Sequence, residues 1–250
     1  VLDFARKVKR RLFSSESQSL PVEGRHVLPS ALVSADDENS KPTDRILDLT
    51  LAAVQNARTI SMTEISKRMK HGPYVPEVWP GEHYKFLAGL VQEMQPKLVI
   101  EIGTSSGLSA LALAHKLPPG GRVVTFDIIP WKEFGDTVLT ADDFKDGSIQ
   151  QILGDVAIPE VFATHRSLFQ QADLIFCDGP KDGKFEQLFI ELMHKNSLPK
   201  NPIVVFDDIR LMNMLRIWRN IKLPKLDVTS FGHWSGTGLV DWLVSVSNQA

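Results

Sequence analysis

Two periodicities alternate along this chain. Short, nearly continuous apolar runs recur at residues 97–102 (KLVIEI), 122–127 (RVVTFD), 173–178 (DLIFCD) and 202–207 (PIVVFD), and 148–153 (SIQQIL) reads as a shorter strand. Runs of this length, rich in β-branched residues, suit parallel strands covered on both faces. Between them, residues 108–117, 159–171, 184–195 and 209–221 carry apolar positions at helical spacing, and 131–144 reads as a loop with a helix. Strand and helix in alternation predict an open parallel sheet with helices on both faces. Residues 226–231 and 238–246 are two more strand runs, separated only by GHWSGT. That gap is too short for a crossover, so the two should pair antiparallel. The prediction is a doubly wound, mostly parallel seven-stranded α/β sheet with an antiparallel C-terminal strand.

The chain upstream of the first strand divides into three stretches. Residues 44–70 return to helical patterning through Ile46, Leu47, Leu49, Leu51, Ala52 and Val54, then Ile60, Met62, Ile65 and Met69, and read as helices over the sheet. Residues 71–84 (HGPYVPEVWPGEHY) crowd histidines, aromatics and prolines into an irregular segment before a helix at 82–94. Such a segment either lines a substrate pocket or packs under a Pro-fixed loop. Residues 14–43 are rich in Ser, Pro, Asp and Glu without a period, as a linker or extended arm is. Residues 1–13 (VLDFARKVKRRLF) set five basic residues against one acidic, with apolar positions on one helical face. That segment should dock on the domain or make peripheral contact with an anionic membrane surface. The expected organisation is a basic helix and arm at 1–43, a helical cover and substrate-side segment at 44–80, and a ligand-binding domain at 81–250.

Composition narrows the function. With 250 residues, 43% of them hydrophobic, the chain can bury a sizeable core. The formal charge is −2, with no basic stripe and no N-P-P-Y-type motif, so nucleic acid is not an expected partner. Cys177 is the single cysteine, which excludes an intrachain disulfide framework; its apolar strand setting reads as buried core in a reducing compartment. No apolar run is long enough to cross a membrane and no signal-peptide core opens the sequence, so a soluble, cytoplasmic protein is expected. A homo-oligomer is the expected assembly.

The chemistry concentrates at strand ends. Residues 97–114 (KLVIEIGTSSGLSALALA) run from strand through a small-residue turn into a helix, and Gly103 and Gly107 let the backbone lie close to a ligand. Nearly every strand ends in an acid: Glu101, Asp127, Asp155, Asp178, and Asp207 with Asp208. Ligands of open parallel sheets bind outside these ends. Glu101 should be satisfied either by backbone N–H groups of the turn or by a ligand. Asp127 stands 20 residues beyond Gly107, the spacing of a ribose-binding acid, and is otherwise a turn or helix-cap aspartate. GTSSG lacks the middle glycine of G-x-G-x-x-G, which disfavours a dinucleotide and favours a nucleoside without phosphates.

In VIEIGTSSGLSALALA, VVTFD, ILGD and the closing FGHWSGTGLVDWL, the chain resembles the class I S-adenosylmethionine-dependent methyltransferases over residues 81–246. The resemblance implies a Rossmann-like fold. It also implies that Glu101, Gly103, Thr104, Ser105, Gly107, Ser109, Asp127, Ile128, Gly154, Asp155 and Asp178 bind S-adenosyl-L-methionine. DLIFCDGPK and PIVVFDDI are similar to the divalent-metal-dependent O-methyltransferases of the catechol type and to those that methylate macrolide sugars. That implies Asp178, Asp207 and Asp208 as ligands of Mg2+ (or Mn2+/Ca2+), and Lys181 or Asp178 as the catalytic base. The catechol type has Asn where Asp208 stands, and the sugar enzymes lack the lysine, so the chain mixes both patterns.

Electrostatics points independently to a cation, since two carboxylates about 4 Å apart repel by about 4 kcal/mol at an effective dielectric near 20. Neighbours in a regular strand face opposite ways, so Asp208 joins Asp207 only if the strand has already opened; otherwise it caps the next helix. The leading expectation is O-methylation of a small hydroxylated molecule such as a sugar, catechol or other vicinal diol. The alternatives are a metal-independent methyltransferase with His71, His83 or His233 as base, a nucleoside-binding protein without catalysis, and an NAD-dependent reductase, which GTSSG weakens.

Overall fold

A computed structural model describes residues 40–72, 75–78 and 81–243. The helices are α1 (Asp44–Ala57), α2 (Thr63–Ser66), α3 (Val75–Val78), α4 (His83–Met94), α5 (Leu108–Ala114), α6 (Pro159–Gln171), α7 (Phe185–Lys195) and α8 (Met214–Asn220). The strands are β1 (Leu98–Ile102), β2 (Arg122–Asp127), β3 (Ile149–Leu153), β4 (Leu174–Cys177), β5 (Ile203–Asp207), β6 (Lys225–Asp227) and β7 (Thr237–Asp241). They form one sheet in the order β3-β2-β1-β4-β5-β7-β6. The first five pair parallel, and β7 joins β5 and β6 antiparallel. The seven-stranded, doubly wound prediction holds. The basic segment at 1–13 and the end of the last predicted strand lie outside the described residues.

Strand alternation builds two cores. From β1, Val99 faces a layer with Ile46 and Ala53 of α1, Phe86 and Leu87 of α4 and Leu111 of α5. Ile100 and Ile102 face the other layer, with Phe162 and Phe169 of α6, Phe189 of α7 and Trp218 of α8. Phe162 and Phe169 stack at 4.6 Å. In the first layer α1 crosses α4 so closely that a Cβ on Gly89 would stand 2.4 Å from the Ala53 carbonyl oxygen. The start of α1 is tied to the last strand: Thr43 caps it by accepting from the Ile46 N–H, and its Oγ1 donates to Asp241 Oδ2 at 2.6 Å. Arg45 closes the same fully buried Asp241 at 2.7 Å.

Four predicted elements differ, the first being the strand expected at 226–231, which is only Lys225–Asp227. Residues 131–144 hold two single 3-10 turns, Trp131–Glu133 and Ala141–Phe144, in place of a helix. The second turn is fixed by a capping box between Thr140 and Asp143. The helix expected from 209 begins at Met214, because the Ile209 and Arg210 N–H groups donate to Gly236 and Ser235 of the β6–β7 turn (3.3 and 2.8 Å). The helix expected to reach 117 ends at Ala114, ahead of Pro118 and Pro119, as residues preceding a proline favour.

Candidate active site

The strand order reverses between β1 and β4, where ligands of such sheets bind. A cavity of about 310 Å³ opens there, and among its walls are Gly103, Ser105, Asp127, Ile128, Gly154, Asp155 and Asp178. All seven were expected to bind the cofactor. Gly103 makes the turn workable. Its φ is +96°, and a Cβ would stand 2.3 Å from the Asp178 carbonyl oxygen. Its N–H donates to Phe126 O at 2.8 Å while the Asp178 N–H donates to Ile102 O at 2.9 Å, which draws the ends of β1, β2 and β4 together.

Asp127 is braced and still available. Oδ2 accepts from the Ser105 N–H and Oδ1 from the Ile129 N–H, each at 3.0 Å. An ionised carboxylate offers about four lone-pair sites, so about two remain for other donors.

The other cofactor candidates do not line this cavity. Thr104 is buried, shares a hydrogen with Thr125 (2.7 Å) and accepts from Gln151 Nε2 (3.0 Å). The amide of Gln151 is oriented by the Trp131 N–H, which donates to its Oε1 at 2.9 Å. Gly107, at φ +86°, caps α5. Ser109 lies in the first turn of α5 beside Glu101. Glu101 itself is fully buried, and neither of its carboxylate oxygens has a hydrogen-bond partner. The backbone brace considered for it is not formed. Burial pushes its pKa up to about 8, against the Ser109 and Thr125 hydroxyls, which act to lower it.

Next to the cavity stands a cluster of ionisable groups. Asp207 ends β5, and Asp208 turns left-handed at φ +57°. The strand has therefore opened at that residue, which brings both carboxylates into one cluster. Asp208 does not cap α8, whose N-cap is Asn213. His233, from the β6–β7 turn, places Nδ1 at 3.3 Å from Asp208 Oδ1 and 3.9 Å from Asp207 Oδ1. The Ser235 hydroxyl bridges His233 Nδ1 and Asp208 Oδ1. Lys181, also left-handed at φ +59°, reaches Asp178 Oδ1 at 2.5 Å, the Gly179 carbonyl at 2.9 Å and Asp208 Oδ2 at 3.7 Å. Glu186 holds that strained residue by accepting its N–H at 2.8 Å.

Charge and burial oppose each other throughout this cluster. Burial, then the charges of Asp178 and Asp208, raise the Asp207 pKa well above the usual carboxylate range. Burial acts to lower the Lys181 pKa, but Asp178, Asp207 and Asp208 outweigh it and keep the ammonium charged. His233 is held below its ordinary value, by burial first, with Asp208 and Asp178 pulling it back up. His83 lies well below, through burial, His233 and Lys181. His83 Nδ1 and Asp207 Oδ1 are both buried without a hydrogen-bond partner, 3.8 Å apart. Tyr84 lies near the same acids; burial and the charges of Asp178, Asp207, Glu101 and Asp208 raise its hydroxyl pKa.

Asp207, Asp208 and His233 each offer a ligand atom, all within 4.8 Å of one another. Hard and borderline donors, an unpartnered buried carboxylate oxygen and an excess of negative charge fit a divalent cation. Asp178 is not in that converging set; its Oδ1 pairs with Lys181 at the cavity wall. The set the sequence expected was Asp178, Asp207 and Asp208; the structure puts His233 with the Asp207–Asp208 pair. His71 is exposed and lines a separate small cavity with Arg68 and Thr137, away from the acids.

A doubly wound sheet with a cavity at its switch point, in which β7 is inserted antiparallel between β5 and β6, has the strand arrangement of a class I methyltransferase fold. The O-methyltransferase family model matches residues 53–209, and the chain belongs to that family. It is 26% identical over 180 residues to caffeoyl-CoA O-methyltransferase 1 of Zea mays, covering 65% of this chain and 67% of the relative. It is 30% identical over 117 residues to the transmembrane O-methyltransferase of Propithecus coquereli, covering 46% of this chain. The match spans only 42% of that relative's length. No helix among the described residues is long and apolar enough to cross a membrane. A solved caffeoyl-CoA O-methyltransferase candidate from Staphylococcus aureus shares the fold with a TM-score of 0.53 at 17% identity, over 77% of this chain and 98% of that one.

Proposed function

We propose that this protein transfers a methyl group from S-adenosyl-L-methionine to a hydroxyl of a small molecule with neighbouring oxygens, such as a sugar, catechol or other vicinal diol, with a divalent cation as assistant. The observation that carries this reading is the position of Asp178, which walls the nucleoside cavity and also belongs electrostatically to the Asp207–Asp208 cluster. Donor and acceptor sites therefore share a border. S-adenosyl-L-methionine supplies an activated methyl on a sulfonium, and the reaction is an in-line displacement whose rate depends on alignment. A divalent cation supplies Lewis acidity, which lowers the pKa of a hydroxyl and fixes its orientation.

The chain's own residues supply the rest. Asp127 has lone pairs left for two ribose hydroxyls, and the Gly103 turn lets the backbone approach the ligand. Asp207 and Asp208 would hold the cation. Lys181 Nζ, set between Asp178 and Asp208, is the group assigned to take the hydroxyl proton, and Asp178 is its fallback. The three carboxylates oppose loss of the amine's own proton, so partial neutralisation of their charge is a condition for this role.

One observation favours a second reading, in which His233 is the base and no cation takes part: its imidazole is held neutral by burial beside Asp208. Asp207→Ala separates the two. Labelled S-adenosyl-L-methionine and a panel of catechols and sugars should give methylated product with the native protein and almost none with the variant. Undiminished product from the variant would select the His233 reading.

A further inference from the structure

An all-oxygen set of Asp178, Asp207 and Asp208 would suit Mg2+ or Ca2+. The donors that converge are different. Lys181 occupies Asp178 Oδ1 at 2.5 Å, and the atoms within 4.8 Å of one another belong to Asp207, Asp208 and His233. Building on the cation reading above, we propose that His233 is a nitrogen ligand of the cation, and that the mixed set selects a borderline first-row cation of the Fe2+ to Zn2+ range over Mg2+ and Ca2+.

Geometry supports a common ion. Ligand atoms each about 2.0–2.2 Å from one ion can stand no more than about 4.4 Å apart. His233 Nδ1 lies 3.3 Å from Asp208 Oδ1 and 3.9 Å from Asp207 Oδ1, both inside that limit, and the three ligand atoms lie within 4.8 Å of one another. One ligand atom and one neighbouring nitrogen are buried without a hydrogen-bond partner. Asp207 Oδ1 and His83 Nδ1 are unpartnered, 3.8 Å apart, on side chains only 6% and 4% exposed. Ser235 is buried, and its hydroxyl spans His233 and Asp208, which holds the two donors side by side. Ligation through Nδ1 replaces that imidazole's hydrogen bond to Ser235 and leaves Ser235 on Asp208. Imidazole donors favour Fe2+, Ni2+ and Zn2+, whereas carboxylate and water suit Mg2+, so one nitrogen among carboxylates moves the preference along the first row.

The test is calorimetric titration of the full chain with Co2+ and with Mg2+, for the native protein, His233→Ala and Asp207→Asn. Native protein should bind Co2+ far more tightly than Mg2+. His233→Ala should weaken Co2+ by about 10–100-fold, the range that loss of a metal-site group costs, and leave Mg2+ nearly unchanged. In the Co2+-loaded native protein, proton NMR should show a hyperfine-shifted, exchangeable imidazole N–H. That signal decides the matter even if His233→Ala fails to fold, and its absence overturns the proposal. Equal affinity for Mg2+ and Co2+, with binding still lost in Asp207→Asn, overturns the nitrogen ligand and leaves the cation reading standing. Failure of the native protein to bind either ion overturns both.

Discussion

Replacing Glu101 by Gln tests the electrostatics of the buried core beneath the cofactor turn. Glu101 is fully buried with both carboxylate oxygens unpartnered, and its pKa rises from 4.5 to about 8. The folded state therefore keeps a proton that the unfolded chain gives up at lower pH. Stability tied to this group is fully present below pH 4.5 and is lost as pH rises through about 8. At about 1.4 kcal/mol per pH unit, the interval from 4.5 to about 8 amounts to about 5 kcal/mol as an upper bound. Gln mimics the protonated acid in shape and charge, so it should match the native protein near pH 4.5 and exceed it increasingly toward pH 8. Urea unfolding of both proteins, free of cofactor, at intervals from pH 4.5 to 9 measures the difference directly. A variant curve that runs parallel to the native one across that window would refute the reasoning, since it would mean that Glu101 is ionised in the fold at no penalty.

Three further outcomes are expected. Gly103→Ala forces a Cβ to within 2.3 Å of the Asp178 carbonyl oxygen at φ +96°; it should lower stability by at least about 1–3 kcal/mol and abolish S-adenosylhomocysteine binding, read by thermal melting and calorimetry. Asp241→Ala removes the buried carboxylate that holds Thr43 and Arg45; because Arg45 remains hydrated, the loss should be about 2–3 kcal/mol in chemical denaturation, with cofactor affinity unchanged. Lys181→Met should reduce kcat by about 100-fold or more, the usual contribution of a general base, while S-adenosylhomocysteine still binds. A comparable fall in that binding would show Lys181 to be structural.

Four of the five parallel strands were legible as apolar runs of the right length, β3 (IQQIL) only by its place between helical stretches, and the strand-end acids were legible because parallel strands all present the same end to one edge. What stayed hidden depended on contacts far apart in sequence. His233 joins Asp207 and Asp208 because β7 pairs antiparallel with β5 in the register Asp207↔Thr237. The hairpin could be read from the sequence, but that register could not, so His233 was weighed as a base and not as a ligand. Glu101 shows a different limit. Its burial followed from its place in a strand covered on both faces, but the turn N–H groups of Gly103 and Ser105 go to Phe126 O and Asp127 Oδ2. Which acceptor wins a donor is a matter of geometry in three dimensions. The missing helix at 131–144 is a third case: Val138 and Leu139 are buried, yet the stretch between Pro130 and Thr140 makes only a single 3-10 turn, Trp131–Glu133. His83 and Tyr84 sat in a segment read as pocket lining or loop packing, with His83 weighed only as a base, and their contact with the acids comes from the docking of α4 over the ends of β4 and β5.

The central claim is that a nucleoside cavity and a cation site share the border at Asp178. The most direct measurement is methyl transfer from labelled S-adenosyl-L-methionine to a catechol or sugar acceptor, before EDTA, after EDTA, and after a divalent cation is restored. The account predicts product in the first and third samples and almost none in the second, with S-adenosylhomocysteine binding retained in all three. Equal product in all three samples, or no binding of S-adenosylhomocysteine in any, would contradict it.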